Sequence, residues 1–188
     1  MASPVEHNVL YSQPQDVCYG VLRDEVIPSL NLTVKAGYLG LKVPISTLGL
    51  SVVEDDWRAY KLIAKMRANY WLSSTKGITW GPHIKIYSRG MGPDTTMVEV
   101  VADAASFYDG QILNLWMDVT YKKIPGYSWF LRKMIPNYYF DETPVIDSKR
   151  LEDESFREGM GRTGLKYIFK MIHQMFEERL KERGVSIA

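Results

Sequence analysis

The sequence predicts an α+β fold, in which an antiparallel β-meander packs against two main helices, one of them a long C-terminal helix. Three observations support this prediction. Apolar residues recur at three- and four-residue steps from Leu165 to Leu180, which is the spacing of one face of an α-helix. Residues 54–72 show a similar periodicity. Between these two segments, β-branched stretches are separated by Gly, Pro and Asp, as expected for strands joined by turns.

The composition bounds the class of protein. A length of 188 residues suits one domain, residues 1–188, with the polar residues 1–30 as a candidate extended N-terminal arm. The 23 basic and 22 acidic residues nearly cancel, which argues against a general nucleic-acid binder. Cys18 is the only cysteine, so no internal disulfide and no cysteine-based metal site is expected, and no cofactor is predicted.

The sequence shows no targeting or membrane-spanning pattern. The first residues lack the basic and apolar regions of a signal peptide. No window approaches the roughly 18–20 apolar residues of a membrane span. We therefore expect a cytoplasmic protein, or one within a virion assembled in the cytoplasm.

The first half of the chain is predicted to start with strands. Residues 16–27 suit either a short helix or a strand, and Pro28 ends that segment. Apolar residues at 32, 34 and 36 alternate with polar ones and predict a strand. Residues 38–50 contain several glycines and suit a second strand or an irregular connection.

Residues 54–72 are predicted to form the first main helix. Ser51 and Glu54 have the spacing of a capping box, and acidic residues follow in the first turn. Apolar residues cover two adjacent stripes of this helix, so we expect it to be covered on most sides.

The meander is predicted from 78 to 121. Ile78–Trp80 and His83–Arg89 are separated by Gly81-Pro82, and Gly90–Asp94 is a turn. Thr95–Ala102 is the return strand, and Gln111–Tyr121 is a further strand.

The C-terminal region is predicted to be mostly helical at its end. Gly126–Ile135 suits a short helix, residues 137–150 look irregular, and Leu151–Glu158 could open a helix. The long helix is predicted for residues 165–183, ended by Gly184. His173 falls on its polar side, where an exposed histidine is expected.

A G-x-G-x-x-G match precedes the long helix. Gly159, Gly161, Arg162 and Gly164 could hold a phosphate at a helix N-terminus. A dinucleotide fingerprint needs a strand directly upstream and a later acidic residue, and both are missing here. A flexible or tightly packed helix start, which needs small residues, is therefore favoured over phosphate binding.

Exposed aromatic and basic residues suggest contact with a partner. Two tryptophans on the outer side of the first helix suit a protein partner. The basic-aromatic segment after the meander suits ordinary packing with solvated lysines first, a protein partner second, and lipid or nucleic acid last. The candidate partner-binding residues are Trp57, Trp71, Lys122, Lys123, Trp129, Phe130, Arg132 and Lys133.

The sequence contains no motif that identifies a catalytic reaction. The three histidines are far apart and match no metal spacing. His83 and Asp118 could form an acid–base pair if the meander brought them together. A strand histidine with an ordinary structural role is the favoured interpretation of His83.

Three functional hypotheses follow. The leading one is a non-enzymatic structural or interaction subunit of a larger assembly, such as a virion tail or neck component, contacting other subunits or copies of itself. The alternative is a protein that binds a small apolar ligand between the sheet and the C-terminal helix, lined by Trp80, Trp116, Tyr121 and Phe169. The third is an acid–base enzyme using His83 and Asp118. No family is recognised, although the predicted order of elements resembles that of helix-grip proteins in topology.

Overall fold

The computed structural model describes residues 4–38, 40–70, 78–104, 137–147 and 154–184. In this part of the chain, eight strands form one antiparallel sheet in the order β1-β6-β5-β4-β3-β2-β7-β8, and the α+β prediction is confirmed. The strands are β1 (Val5–Tyr11), β2 (Asn31–Tyr38), β3 (Leu41–Asp56), β4 (Lys61–Tyr70), β5 (Ile78–Gly92), β6 (Thr95–Ala102), β7 (Asn137–Phe140) and β8 (Thr143–Asp147). The α-helices are α1 (Gln15–Val21) and α2 (Glu154–Glu182).

The N-terminal residues belong to the sheet and the core. In place of the extended arm considered for residues 1–30, β1 pairs with β6 along its whole length, from Val5 opposite Ala102 to Tyr11 opposite Thr96. The helical path of α1 continues through a π-helical turn and a 3-10 turn to Ser29. One side of this helical segment is apolar and buried, so it packs onto the sheet.

The predicted helix at 54–72 is wrong. Residues up to Asp56 end β3, residues 57–60 form a turn, and β4 follows. Asp56 accepts a hydrogen bond from the Ala59 amide at 3.2 Å, so the acidic cluster caps a turn rather than a helix. Leu62, Ala64 and Met66 are completely buried and alternate with positions that are more exposed, which are Lys61, Ile63, Lys65 and Arg67. That period of two is the strand signal, which the helical interpretation overlooked.

The β5–β6 hairpin follows the sequence prediction closely. β5 runs through Gly81-Pro82 without a break, because Gly81 has a φ of 76° that allows a local irregularity. The register with β4 shifts opposite this point, between Ala64 and Met66. The return strand at 95–102 is confirmed, while the turn predicted for residues 90–94 is confined to residues 93–94, because β5 extends to Gly92.

Residues 137–150 are more regular than predicted. They contain the short hairpin of β7 and β8, whose turn places Asp141 at a φ of 52°. The predicted strand Gln111–Tyr121 and the predicted short helix Gly126–Ile135 lie outside the described residues.

The long C-terminal helix is confirmed, although it begins at Glu154 rather than at residue 165. Its apolar stripe is completely buried, and it packs against the apolar inner face of the sheet in one hydrophobic core. The helix residues of this core are Leu165, Ile168, Phe169, Ile172, Phe176 and Leu180. The sheet residues that face them include Leu48, Leu50, Leu62, Ala64, Met66, Ile84, Ile86, Val98 and Val100.

Candidate functional site

The helix α2 lies across the inner face of the sheet and contacts both of its outer strands. Near its start it packs against β8, and further along it packs against β1 and the helical turn at 22–26. Because β1 and β8 are the two ends of the strand order, one helix closes the sheet from edge to edge. The site therefore has three parts, namely the contact at β1, the contact at the β7–β8 hairpin and the side of α2 between them.

At the β1 edge, Tyr11 and His173 form a buried pair. The Tyr11 hydroxyl lies 2.8 Å from His173 Nδ1, and His173 Nε2 lies 3.2 Å from the carbonyl oxygen of His7. A carbonyl oxygen can only accept, so Nε2 carries the proton and Nδ1 accepts from the Tyr11 hydroxyl. The Tyr11 ring meets Phe176 edge-on at 4.7 Å. Tyr11 is 0% and His173 3% exposed, which corrects the prediction of an exposed histidine.

Burial keeps both groups of this pair uncharged. The pKa of His173 is lowered to about 4, chiefly because the interior does not solvate an imidazolium, and also because His7 lies close. The pKa of Tyr11 is raised well above 10, first by burial and then by the nearby Glu177 carboxylate. Cys18, on the buried side of α1, is likewise kept as a thiol, since burial raises its pKa to about 11.

At the other edge, the turn of the β7–β8 hairpin is fixed to both β2 and α2. The Asp141 amide donates to the Thr33 carbonyl at 2.8 Å, and the Thr33 amide donates to Asp141 Oδ1 at 3.2 Å. The Tyr167 hydroxyl of α2 donates to Asp141 Oδ2. The Asp147 amide also approaches the Met160 sulfur at 3.3 Å. The hairpin and the first half of α2 therefore form one packed unit.

From the hairpin contact towards the β1 contact, α2 carries a stripe of large side chains that are only half-buried. We call this the Met stripe; its members are Met160, Tyr167, Met171 and Met175. Spacings of seven and four residues place them on one side of the helix, next to the fully buried stripe. Thioether side chains are flexible and adapt to irregular apolar shapes. The Met stripe is the part of α2 that could receive an apolar molecule without opening the core.

The predicted helix start at 159–164 is wrong. This segment lies inside α2, where the amides are used by helix hydrogen bonds, and the Thr163 hydroxyl bonds the Gly159 carbonyl at 3.1 Å as in an ordinary helix. Gly161 and Gly164 are buried, so small residues are needed there for close packing. Arg162 pairs with Glu158 at 3.5 Å. No free amides are therefore offered to a phosphate by Gly159, Gly161 or Gly164.

The predicted ligand-lining residues are only partly covered by the structure. Phe169 is 0% exposed and belongs to the closed core, so it offers no free surface to a ligand in this structure. Trp80 lies in β5, but its side chain is outside the described part of the chain. Trp116 and Tyr121 are outside the described residues.

Of the predicted partner-binding residues, Trp57 is described. It lies in the β3–β4 turn, is 62% exposed and stacks with the neighbouring Arg58 guanidinium at 5.3 Å. The side chains of Trp71, Lys122, Lys123, Trp129, Phe130, Arg132 and Lys133 lie outside the described residues.

The acid–base pair is also incomplete, because His83 is exposed on β5 while Asp118 lies outside the described residues. Within the described ranges, no three His, Cys, Asp or Glu side chains gather to form a metal site. None of the helices in the described part has the length and apolar character needed to cross a membrane.

No protein-family model and no curated protein sequence matches the chain. Solved structures do align with it. The Zhui aromatase/cyclase from Streptomyces sp. R1128 covers 98% of this chain and 99% of its own, at 13% identity and a TM-score of 0.37. A START superfamily protein from Mycobacterium smegmatis covers 54% and 75%, at 11% identity and a TM-score of 0.31. The di-domain ARO/CYC protein BexL covers 88% and 47%, at 12% identity and a TM-score of 0.31.

These likenesses contradict the leading hypothesis from the sequence, a structural subunit such as a virion tail or neck component. The three aligned proteins are a START superfamily protein and aromatase/cyclase proteins, and none of the three is a virion or structural subunit. The alternative hypothesis, a small apolar ligand bound between the sheet and the C-terminal helix, stays a prediction. At such identities and TM-scores, the likenesses give no ligand and no activity for this chain.

Proposed function

We propose that the protein binds a small, neutral, apolar ligand between the sheet and α2, at the Met stripe. The observation that carries this proposal is the contrast between two sides of the same helix. One side is completely buried, while the adjacent side keeps four large side chains half-buried, the first two of which contact the β7–β8 hairpin. An apolar surface that the fold leaves partly open is the place where an apolar molecule gains most from leaving water.

The closed core favours this position over one beneath the helix. Phe169, Ile172 and Phe176 are 0% exposed, and so are Ala64 and Ile84 on the facing strands. A ligand among these side chains would have to displace them, which costs packing energy. At the Met stripe, Met171 and Met175 can change rotamer at little cost and still remain in contact with the core.

The polar groups beside the stripe favour a neutral ligand. The Tyr167 hydroxyl stays protonated, because burial and then the bond to Asp141 raise its pKa to about 12. The Asp141 carboxylate already accepts hydrogen bonds from Tyr167 and from the Thr33 amide. An anionic ligand would meet this negative charge in a partly desolvated place, where like charges repel strongly.

The test is a titration with Nile red, a neutral apolar dye, combined with native mass spectrometry for molecules retained through purification. We expect saturable binding with a blue-shifted emission. Met171→Lys places a charge in the Met stripe and should weaken binding by about tenfold or more, since burying an unpaired charge is costly. Met91→Lys is the matched control, because Met91 is 60% exposed at the β5–β6 turn.

The proposal fails if Met171→Lys and Met91→Lys bind the dye equally well while both keep the far-ultraviolet circular dichroism of the wild type. Binding that is not saturable would also contradict it. A cytoplasmic setting and contacts with other subunits through Trp57 stay predictions, and so does acid–base chemistry at His83 and Asp118.

A further inference from the structure

We propose that the contact between α2 and β1 is a proton-operated latch, closed while His173 is neutral and opened when its imidazole is protonated. The proposal concerns the attachment of the helix to the sheet edge and does not depend on a ligand. The latch consists of His173 on α2 with Tyr11 and the His7 carbonyl on β1.

In the closed state, each nitrogen of His173 has one role. Nε2–H donates to the His7 carbonyl at 3.2 Å, and Nδ1 accepts from the Tyr11 hydroxyl at 2.8 Å. Both bonds cross from the helix to an outer strand of the sheet. The neutral imidazole thus satisfies one acceptor and one donor of β1 in a place that water hardly reaches.

Protonation removes the acceptor on which the latch depends. With a proton on Nδ1, the imidazolium and the Tyr11 hydroxyl would present hydrogens to each other. Tyr11 could turn its hydrogen towards Glu177 Oε1, but that distance is 3.4 Å, which is long for a hydrogen bond between a hydroxyl and a carboxylate. The charged ring would also lie 4.4 Å from the ring of His7, whose proximity lowers the pKa of His173 further.

The surroundings offer little to stabilise the new charge. In the described part of the chain, the titratable groups facing this pair are His7 from β1, Glu177 from α2 and Cys18 from α1. Glu177 is the one anion among them, and its side chain contacts the Tyr11 hydroxyl, at 3.4 Å. Burial accordingly lowers the pKa of His173 to about 4, so the latch would open only in acid.

Opening would be local because α2 is held independently at the other edge of the sheet. The contacts of Tyr167 with Asp141 and of Met160 with Asp147 lie in the first half of the helix. The expected change is therefore the release of β1 and the second half of α2, while the hairpin end stays attached.

The experiment is hydrogen exchange followed by mass spectrometry at pH 7 and about pH 3.5, with exchange times scaled for the chemical pH dependence. Opening should reduce protection by about tenfold or more in residues 5–11 and 172–182, but not in β4 and β5. His173→Gln cannot be protonated, yet its amide can accept from Tyr11 and donate to the His7 carbonyl. It should therefore keep its protection in acid. His83→Gln, which removes an exposed histidine, should behave as the wild type.

A second measurement uses the wild type alone. Long-range proton–nitrogen NMR spectra should show the Nε2–H form of His173 at pH 7 and a titration midpoint that coincides with the loss of protection in β1. The proposal is overturned if His173 titrates while β1 and α2 stay protected, because Tyr11 would then have turned towards Glu177. Equal loss of protection in His173→Gln and the wild type would overturn it as well.

Discussion

Replacing Tyr11 by Phe tests whether the buried hydroxyl, rather than the ring, fastens α2 to β1. The ring and its edge-on contact with Phe176 at 4.7 Å remain in this variant, so no large cavity forms. The change leaves Nδ1 of His173 without a donor in a position where that residue is 3% exposed. An unsatisfied buried polar group costs about 1–3 kcal/mol. We take about 2 kcal/mol, which corresponds to a melting temperature lowered by about 4–8 °C for a chain of this size.

The matched control is Tyr19→Phe in the same chain. The Tyr19 hydroxyl also donates to a distant side chain, Asp55, but the Asp55 side chain is 38% exposed and water can replace the lost donor. That variant should lose less than about 1 kcal/mol. The free energy of unfolding of both variants is to be measured by urea denaturation at pH 7.

A double-mutant cycle separates the bond from general destabilisation. If the hydroxyl acts through His173, the loss from Tyr11→Phe should shrink by about 1 kcal/mol or more when His173 is already Leu. The reasoning is refuted if Tyr11→Phe costs no more than Tyr19→Phe, or if the cost is unchanged in the His173→Leu background.

Three further predictions concern the backbone, the core and the pH dependence. Gly159→Ala should stabilise the protein by about 0.5–1 kcal/mol in thermal melts, because residue 159 lies inside α2 with open space around it. Gly81→Ala should destabilise the protein by about 1–2 kcal/mol in the same measurement, because Gly81 has a φ of 76°. Ala64→Leu should cost about 1–3 kcal/mol in urea denaturation, since Ala64 is 0% exposed in a filled core; a neutral result would place the open space beneath the helix instead. His173 has its pKa lowered from 6.5 to about 4, so the folded state binds its proton less readily, and stability should fall as the pH drops from 6.5 to 4. The free energy of unfolding should fall by at most about 3 kcal/mol, since each tenfold change in the ionisation constant corresponds to about 1.4 kcal/mol. Urea denaturation across this pH range measures the fall, and His173→Gln should not show it.

The long helix was predictable because its apolar residues repeat with the period of a helix and with no other. Leu165, Ile168 and Ile172 fit a helix and no strand. Its first turns were missed because Gly159, Gly161 and Gly164 suggested a flexible helix start. Buried glycines inside a helix allow close packing, and a single sequence does not distinguish that use from a loop.

The segment 54–72 shows why the hairpin was missed. Leu62 and Met66 fit a helical stripe, yet together with Ala64 they also fit a strand, and all three are buried. The capping signal at Ser51 and Glu54 favoured the helix. Tertiary pairing with β3 and β5 decided the outcome, as is common for segments with two consistent periods.

The latch was not predictable from the sequence. Tyr11 and His173 are 162 positions apart, and each fits its local pattern without the other. The position of His173 on the polar side of a helical wheel predicts exposure only if nothing covers that side. Here β1 covers it, and a long-range pairing of this kind has no local signal.

Closing the sheet with one helix also governs how the protein behaves towards its own copies. An outer strand with bare amides and carbonyls can template the addition of a strand from another molecule. Among the described strands, β1 and β8 are the outermost, and α2 packs against both. Any change that detaches this helix would uncover both strands together, so self-association into fibres should accompany its release.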